Sequence, residues 1–235
     1  MSYDHPEFKG SKLHARVQTP SDSATLILVR RDADVPRILM GQRHGGHAFM
    51  PNKYVFPGGR LDLTDTRIKP AHDLAPATLA KLMTRMRGRA SASRARGLAI
   101  AAIRETLEEA GLLFGRDRED AAPDLSGLVF FARAITPPGR TRRFDSRFFV
   151  ADAAMVANLD TPLHAGSGEL LTLSWFTHAE TLGLDLPLIT VDILARLKPF
   201  LDRNELPAPD CPASFQYHRG KTWREEAIHV GGAAV

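Results

Sequence analysis

The sequence predicts an α/β sandwich built on a sheet of mixed pairing, and three observations carry that expectation. Short apolar runs of strand length open the chain and recur in its second half. Helical periodicities lie between these two groups and again near residue 190. Gly- and Pro-rich breakers separate the runs, so strands, a helical stretch, strands and a late helix alternate along one chain.

Residues 1–23 show no sustained period and read as an N-terminal tail. Ala24–Arg31 (ATLILVRR) is a buried-strand run, and Arg37–Arg43 (RILMGQR) is a second, with a link at Ala33–Pro36 short enough for a hairpin. Lys53–Phe56 is a third strand, stopped by Pro57-Gly58-Gly59. Pro76–Arg87 puts Leu79, Leu82, Met83 and Met86 at helical spacing behind an entry proline. A second helix is predicted from about Ser93 to Leu113. Leu125–Ile135 and Arg143–Asp152 read as long strands joined at Pro137-Pro138-Gly139, and Leu171–Phe176 as a further one. Leu188–Leu201 is a helix with Ile189, Ile193, Leu194 and Leu197 on one side. The Pro-rich, then aromatic and polar stretch after Leu206 carries no assignable pattern.

Composition bounds the function. A chain of 235 residues, 43% hydrophobic and 25% charged, fits one large domain or a domain with additions, and excludes a wholly disordered or fibrous protein. No run approaches the ~20 apolar residues of a membrane span, residues 1–20 lack the apolar core of a signal peptide, and Cys211 has no partner for an internal disulfide. A reducing, cytoplasmic setting is therefore expected. The net charge of +4 is unevenly placed. Thr66–Ile103 holds eight basic residues against one acid, Asp73, and carries +7, which leaves −3 on the rest. No aromatic residue interrupts that basic segment, so it offers bases no stacking platform, which argues against nucleic acid. Extra packing, a dimer contact and a phosphate lid remain open as its role.

The chemistry concentrates in Ala99–Leu112 (AIAAIRETLEEAGL). On a 3.6-residue period Glu105, Glu108 and Glu109 share one helical face, with Ile100, Ile103 and Leu107 opposite and Gly111 as the stop. Most Glu-rich helix faces are simply solvated. Three carboxylates this close repel one another, however, and a hard divalent cation relieves the repulsion. Arg104 stands at i, i+4 from Glu108, where it can orient a carboxylate.

Taken together these residues resemble the Nudix hydrolase box. Its second half stands here as Arg104-Glu105-Thr106-Leu107-Glu108-Glu109-Ala110-Gly111-Leu112, and its first half as Gly59, five residues and Asp65. Asp65 replaces a Glu, Thr106 an apolar residue, and 38 residues rather than about seven separate Asp65 from Arg104. An insertion at this place and an Asp at the first acidic position are similar to the branch typified by a peroxisomal coenzyme A diphosphatase, as are His47–Asp62 and Ile135–Val150. The motif leading into Phe-Pro-Gly-Gly in coenzyme A-cleaving relatives is matched at Leu39, Arg43 and Phe56–Gly59. It is broken at Gly41, His44, Ala48 and Asn52.

The resemblance implies a Nudix α/β/α sandwich over residues 24–202, with a basic helical insertion at 66–97 and a C-terminal extension at 203–235. It implies metal-dependent hydrolysis of a diphosphate, first of coenzyme A or acyl-coenzyme A, alternatively of ADP-ribose or another nucleoside diphosphate derivative. A non-catalytic Nudix-fold module binding nucleotide or RNA is the reading from a different class. Mg²⁺ or Mn²⁺ is expected on Glu105, Glu108, Glu109 and the Gly58 carbonyl. Arg104 is expected to orient the carboxylates, and Asp65 and Gly59 to support them. Glu169, in a Gly166–Glu169 turn, is the later-loop candidate for general base, with Glu105 the alternative. Arg43, Arg142 and Arg143 are candidate substrate contacts; Arg142 and Arg143 form a basic cluster with Arg140 and Arg147 whose bland reading is solvent-facing charges paired with Asp145. His44 and His47 are more simply loop residues than ligands, and Cys211 is read as structural. The expected partner is a small-molecule diphosphate, with no membrane and a homodimer as the assembly relatives suggest.

Overall fold

The computed structural model describes residues 18–46, 50–140, 142–164, 166, 168–220 and 222–231. Nine strands among them join one sheet, in the order β3-β2-β1-β6-β5-β8-β9, with β4 added to β1 and β7 to β2. β1 (Ser21–Arg30) and β2 (Arg37–Arg43) form the expected hairpin, and β3 (Tyr54–Val55) continues from β2. β4 (Gly58–Arg60) lies along β1. β5 (Val129–Ile135) and β6 (Phe144–Asp152) are antiparallel, and β7 (Leu170–Thr177) pairs with β2. The two parallel contacts, β1 with β6 and β5 with β8, make the sheet mixed, as predicted.

Alternation along the central strands sorts the core into two layers. Ala24, Leu26 and Leu28 of β1 turn to one face. There α1 (Pro76–Met83) and α2 (Ala92–Ala110) bring Leu82, Leu98, Ala99, Ala102 and Ile103. Ile27 and Val29 turn to the other, against Ile193, Leu194, Leu197 and Leu201 of α4 (Leu188–Leu201), which follows the one-turn helix α3 (His178–Thr181). No helix among the described residues is long and apolar enough to cross a membrane.

Several expectations are corrected. β1 begins at Ser21, not Ala24: its polar start pairs in parallel with Phe144–Ser146, and Ser23 and Ser146 share a hydroxyl hydrogen bond of 2.7 Å. The Pro57-Gly58-Gly59 breaker ends one strand but opens another, because Gly58 and Gly59 lie close against β1. The first helix stops at Met83 rather than Arg87, since Arg85 takes a left-handed φ of 55°. The unassigned C-terminal stretch forms a hairpin, β8 (Ala213–Arg219) and β9 (Thr222–Ile228), whose Ala213, Phe215 and Ile228 enter the core.

The basic segment proves to be packing as much as charge. Leu82 and Met86 are buried and Leu79 and Met83 lie against the same cluster. Lys81 has no exposed surface and donates to the Phe130 carbonyl at 3.0 Å and the Cys211 carbonyl at 2.5 Å. Arg85 pairs with Glu226 and sits over the rings of Phe215 and Tyr217, Arg94 pairs with Asp22, and Arg96 with Asp73. Arg67, Lys69, Arg87 and Arg89 remain exposed.

Candidate active site

The site is built where β4 passes the C-terminal half of α2. Ser91 caps this helix, accepting the Arg94 amide, and Gly111 closes it with φ 71°. Ala95, Ala99 and Ala102 keep its sheet-facing side small and let it lie close to β1. Thr106, at the box position usually apolar, is fully buried and harmless there, because its hydroxyl donates to the Ala102 carbonyl at 2.8 Å.

Glycine is required at both positions of the turn. A Cβ on Gly58 would stand 2.5 Å from the Ala24 carbonyl oxygen and 2.7 Å from the Thr25 Cα. On Gly59 it would stand 2.2 Å from a carboxylate oxygen of Glu105. Leu26 donates to the Pro57 carbonyl and Leu61 to that of Asp22, so 57 and 61 face β1. Gly58 and Arg60 face the other way. The Gly58 amide donates to Glu109 Oε2 at 2.8 Å, and the Arg60 carbonyl accepts from Arg104 Nη2 at 3.0 Å. In extended backbone the amide and carbonyl of one residue point the same way, so the Gly58 carbonyl is turned toward the α2 carboxylates.

Arg104 organises the acidic face. Its Nε and Nη2 donate to the two oxygens of Asp65 at 3.0 and 3.2 Å, and its Nη1 donates to Glu105 at 3.0 Å and Glu108 at 3.1 Å. Asp65, 1% exposed, also accepts the Asp62 amide at 2.8 Å. The shorter acid thus meets the guanidinium and not the cleft. Burial would lower the Arg104 pKa, but the Asp65 hydrogen bonds and the neighbouring carboxylates raise it on balance.

The three glutamates differ in environment. Glu108 is half exposed, Glu105 is largely covered and Glu109 is 3% exposed. Burial pushes the Glu109 carboxyl up to about 8; the Gly58 amide opposes this and the charge of Glu105 adds to it. Glu105 is raised for the same first reason, against the pull of Arg104. Among the described residues no three His, Cys, Asp or Glu side chains converge in metal-holding geometry. Glu105 and Glu108 are turned to Arg104, and Glu109 to the Gly58 amide. The donor set still suits a hard cation, being oxygen throughout, and two of its carboxylates are strained by burial in a way that a positive ion would relieve.

A cleft of about 540 Å³ opens over this face. Glu105, Glu108 and Glu169 line it together with Arg43, Arg142 and Arg143, bringing the candidate metal side, the later-loop acid and all three candidate substrate arginines to one space. Glu169 is exposed, and its carbonyl accepts the His44 amide at 3.1 Å, which ties the loop before β7 to the end of β2. Arg43 is partly buried, and this desolvation lowers its pKa against the pull of Glu109, Glu169 and Glu105. Arg143 donates to the carbonyls of Thr136 and Gln18.

Arg147 does not belong with them. It is 1% exposed and pairs inside the sheet with Asp22 at 2.8 Å and Asp145 at 3.1 Å, while Asp145 also holds Arg133. It is therefore neither a cleft residue nor the solvent-facing partner of Asp145. His44 Nδ1 accepts the Gly46 amide, and His47 lies outside the described residues. Sequence reasoning missed Arg60 and Phe144 on the cleft wall. An Arg straight after Gly-Gly was the one available signal.

No protein-family model matches the chain, and no curated protein matches it. Solved structures do. A Nudix hydrolase from Alicyclobacillus acidocaldarius is similar over 81% of this chain and 99% of its own, with a TM-score of 0.59 and 22% identity. The Nudix domain of Shewanella oneidensis NrtR, complexed with ADP ribose, covers 77% of this chain and 88% of its own at TM-score 0.49 and 10% identity. RenU, a Nudix hydrolase from M. smegmatis, covers 85% and 99% at TM-score 0.48 and 15% identity. The likeness to the Alicyclobacillus structure shows that the chain has the Nudix fold, as its sequence led one to expect.

Proposed function

We propose that this protein is a metal-dependent diphosphatase, and that coenzyme A or acyl-coenzyme A is its substrate, cleaved to 3′,5′-ADP and the (acyl-)4′-phosphopantetheine. The observation that carries the reaction is the shared cleft, with Glu105, Glu108 and Gly58 on one wall, Glu109 buried against the Gly58 amide, and three arginines on another wall. Glu105, Glu108, Glu109 and that carbonyl would hold Mg²⁺ or Mn²⁺, which supplies neutralisation of the diphosphate oxygens and acidification of water.

The chain's own residues do the rest. Arg43, Arg142 and Arg143 bind phosphate oxygens, a task suited to the forked guanidinium. Arg104 holds Glu105 and Glu108, and Asp65 holds Arg104, so the carboxylates keep their spacing when the substrate's charge arrives. Water attacks one phosphorus, its proton passes to a carboxylate oxygen, and the bridging P–O bond breaks toward the other phosphate. Glu169, exposed on the cleft wall, is the first choice for that carboxylate, and Glu105 the second.

The substrate rests on the arginine-lined cleft and on the sequence resemblance. ADP-ribose or another nucleoside diphosphate derivative fits the same walls, and a non-hydrolysing module is the competing class. The complete set of α2 carboxylates favours turnover over binding alone. The deciding experiment is hydrolysis of coenzyme A, acetyl-coenzyme A and ADP-ribose with Mg²⁺ or Mn²⁺, by the wild type, Glu108→Gln and Glu169→Gln. Coenzyme A should be turned over well above ADP-ribose, and Glu108→Gln should abolish the activity without unfolding. A rate for Glu169→Gln within about twofold of wild type would exclude it as the base, since general bases contribute about 10²–10⁴-fold.

A further inference from the structure

One end of the sheet is the strand β9, and among the described residues that end is open. Thr222–Ile228 pairs with Ala213–Arg219 of β8 along its whole length, with no bulge or register shift. A connection of two residues makes Arg219 and Thr222 a hydrogen-bonded pair. Alternation then spends the backbone groups of Thr222, Arg224, Glu226 and Ile228 on β8 and turns those of Trp223, Glu225 and Ala227 outward. No described residue bonds these outward groups. An edge of this kind is a template for a further strand, and proteins commonly blunt it with a proline, a bulge or charge. β9 has neither of the first two, and the order of its charges favours one partner.

We propose that β9 pairs antiparallel with β9 of a second copy of this chain, about a twofold axis through Glu225, so that two sheets become one. The outward backbone groups admit only registers that match Trp223, Glu225 and Ala227 among themselves. The register centred on Glu225 overlaps all seven residues of the strand. Its neighbour centred on Arg224 sets that arginine against its own copy, and the one centred on Glu226 sets two glutamates together. Centred on Glu225, the pairing sets Arg224 against Glu226 twice, at non-hydrogen-bonded positions where facing side chains come closest. Glu226 is held in place by Arg85 and by the Tyr217 hydroxyl at 2.5 Å. Arg224 is exposed and has no partner among the described residues. Bulk is complementary in the same register. Trp223 falls opposite Ala227, beside a cavity of about 470 Å³ that Phe131, Phe200 and Pro212 line with Ala227. The one like-charge contact, Glu225 with its own copy on the axis, is offset because Arg196 holds each carboxylate at 2.5 Å. No residue of β9 lines the cleft, so the inference is independent of the reaction proposed there.

The test is sedimentation equilibrium of the full chain across the micromolar range, where a strand-to-strand interface of this size should give a concentration-dependent dimer. Arg224→Glu replaces two opposite-charge contacts by two like-charge ones. Ala227→Pro removes an outward amide and takes no bond from β8. Each should weaken the dimer about tenfold or more. Oxidation supplies a check of the register. Glu225→Cys should give a disulfide-linked dimer, because that position alone meets its own copy, whereas Thr222→Cys and the wild type with its Cys211 should not. The proposal is overturned if the wild type sediments as a monomer throughout, or if a wild-type dimer keeps its affinity in Arg224→Glu. Cross-linking through Thr222→Cys in place of Glu225→Cys would overturn it equally. The wild type and Arg224→Glu, an exposed substitution, decide the matter should Ala227→Pro fail to fold.

Discussion

Gly58 and Gly59 are neighbours of one residue type, yet the structure gives alanine opposite consequences at the two. At Gly59 the added Cβ meets the Glu105 carboxylate at 2.2 to 2.5 Å and nothing stiffer among its nearest neighbours. The carboxylate ends a flexible side chain, so it yields, moving from 2.2 Å to an ordinary contact of 3.4 Å or beyond, a shift of about 1.2 Å. Neither glycine has positive φ, so alanine adds no backbone strain. Gly59→Ala should therefore melt within about 3 °C of wild type. A misplacement of about 1 Å in a catalytic constellation costs on the order of 10²-fold in rate, and that loss is expected in the hydrolysis proposed for this cleft. At Gly58 the Cβ meets the backbone of β1, a central strand that cannot give way locally. Overpacking of this kind costs about 1–3 kcal/mol. In a chain of this size that lowers Tm by several degrees, at about 2–4 °C per kcal/mol. Phosphate release and thermal melting, run on both variants, separate the effects. Activity of Gly59→Ala within about threefold of wild type would refute the placement of Glu105 at the reaction.

Two further outcomes follow from buried charge. Burial raises Glu109 from its ordinary 4.5 to about 8, so the metal-free native state binds more protons than the unfolded chain between these values. Its contribution to stability is complete below about 4.5 and is lost as pH rises through about 8. A cation held by Glu109, as proposed, would then expel a proton below that pH. Mn²⁺ affinity should steepen with pH by up to about tenfold per unit and level off above it, whereas in Glu109→Gln the slope should vanish; a flat wild-type profile in calorimetric titrations refutes the assignment. Asp145, 1% exposed, holds Arg133 through two 2.8 Å hydrogen bonds and faces Arg147 at 3.1 Å. Asp145→Asn leaves both buried guanidinium groups short of charge, a loss of about 3–5 kcal/mol and a Tm lower by about 10 °C. A fall under about 3 °C by differential scanning calorimetry would show that Asp22 suffices for Arg147.

The local patterns that sequence reading uses were strong in α2 and α4. Apolar spacing and a stop at Gly111 made these helices readable, and the strands with continuous apolar runs were equally plain. The C-terminal hairpin was not. One of its faces is polar, with Ser214, Gln216 and His218, the other has only Ala213, Phe215 and Tyr217, and what makes β8 a strand is parallel pairing with β5, some eighty residues earlier. Likewise the role of the basic segment stayed open between packing, a dimer contact and a phosphate lid, because sequence cannot tell that Lys81 has two backbone carbonyls waiting for it inside the fold.

By itself the sequence determined that Glu105, Glu108 and Glu109 share a helix face, because a 3.6-residue period places them there whatever surrounds the helix. It also determined that a glycine pair precedes the acidic run and that positive charge is gathered between the two halves of the motif. Only the tertiary structure decided what these parts do to one another. It set Gly59 against Glu105, Asp65 against Arg104, and the Gly58 amide on Glu109, across separations of 46, 39 and 51 positions. It also divided the arginines, sending Arg142 and Arg143 to the cleft and Arg147 into the sheet interior. The physical reason is that burial and distance set both the strength of a charge and its partner, and neither is a property of position along the chain.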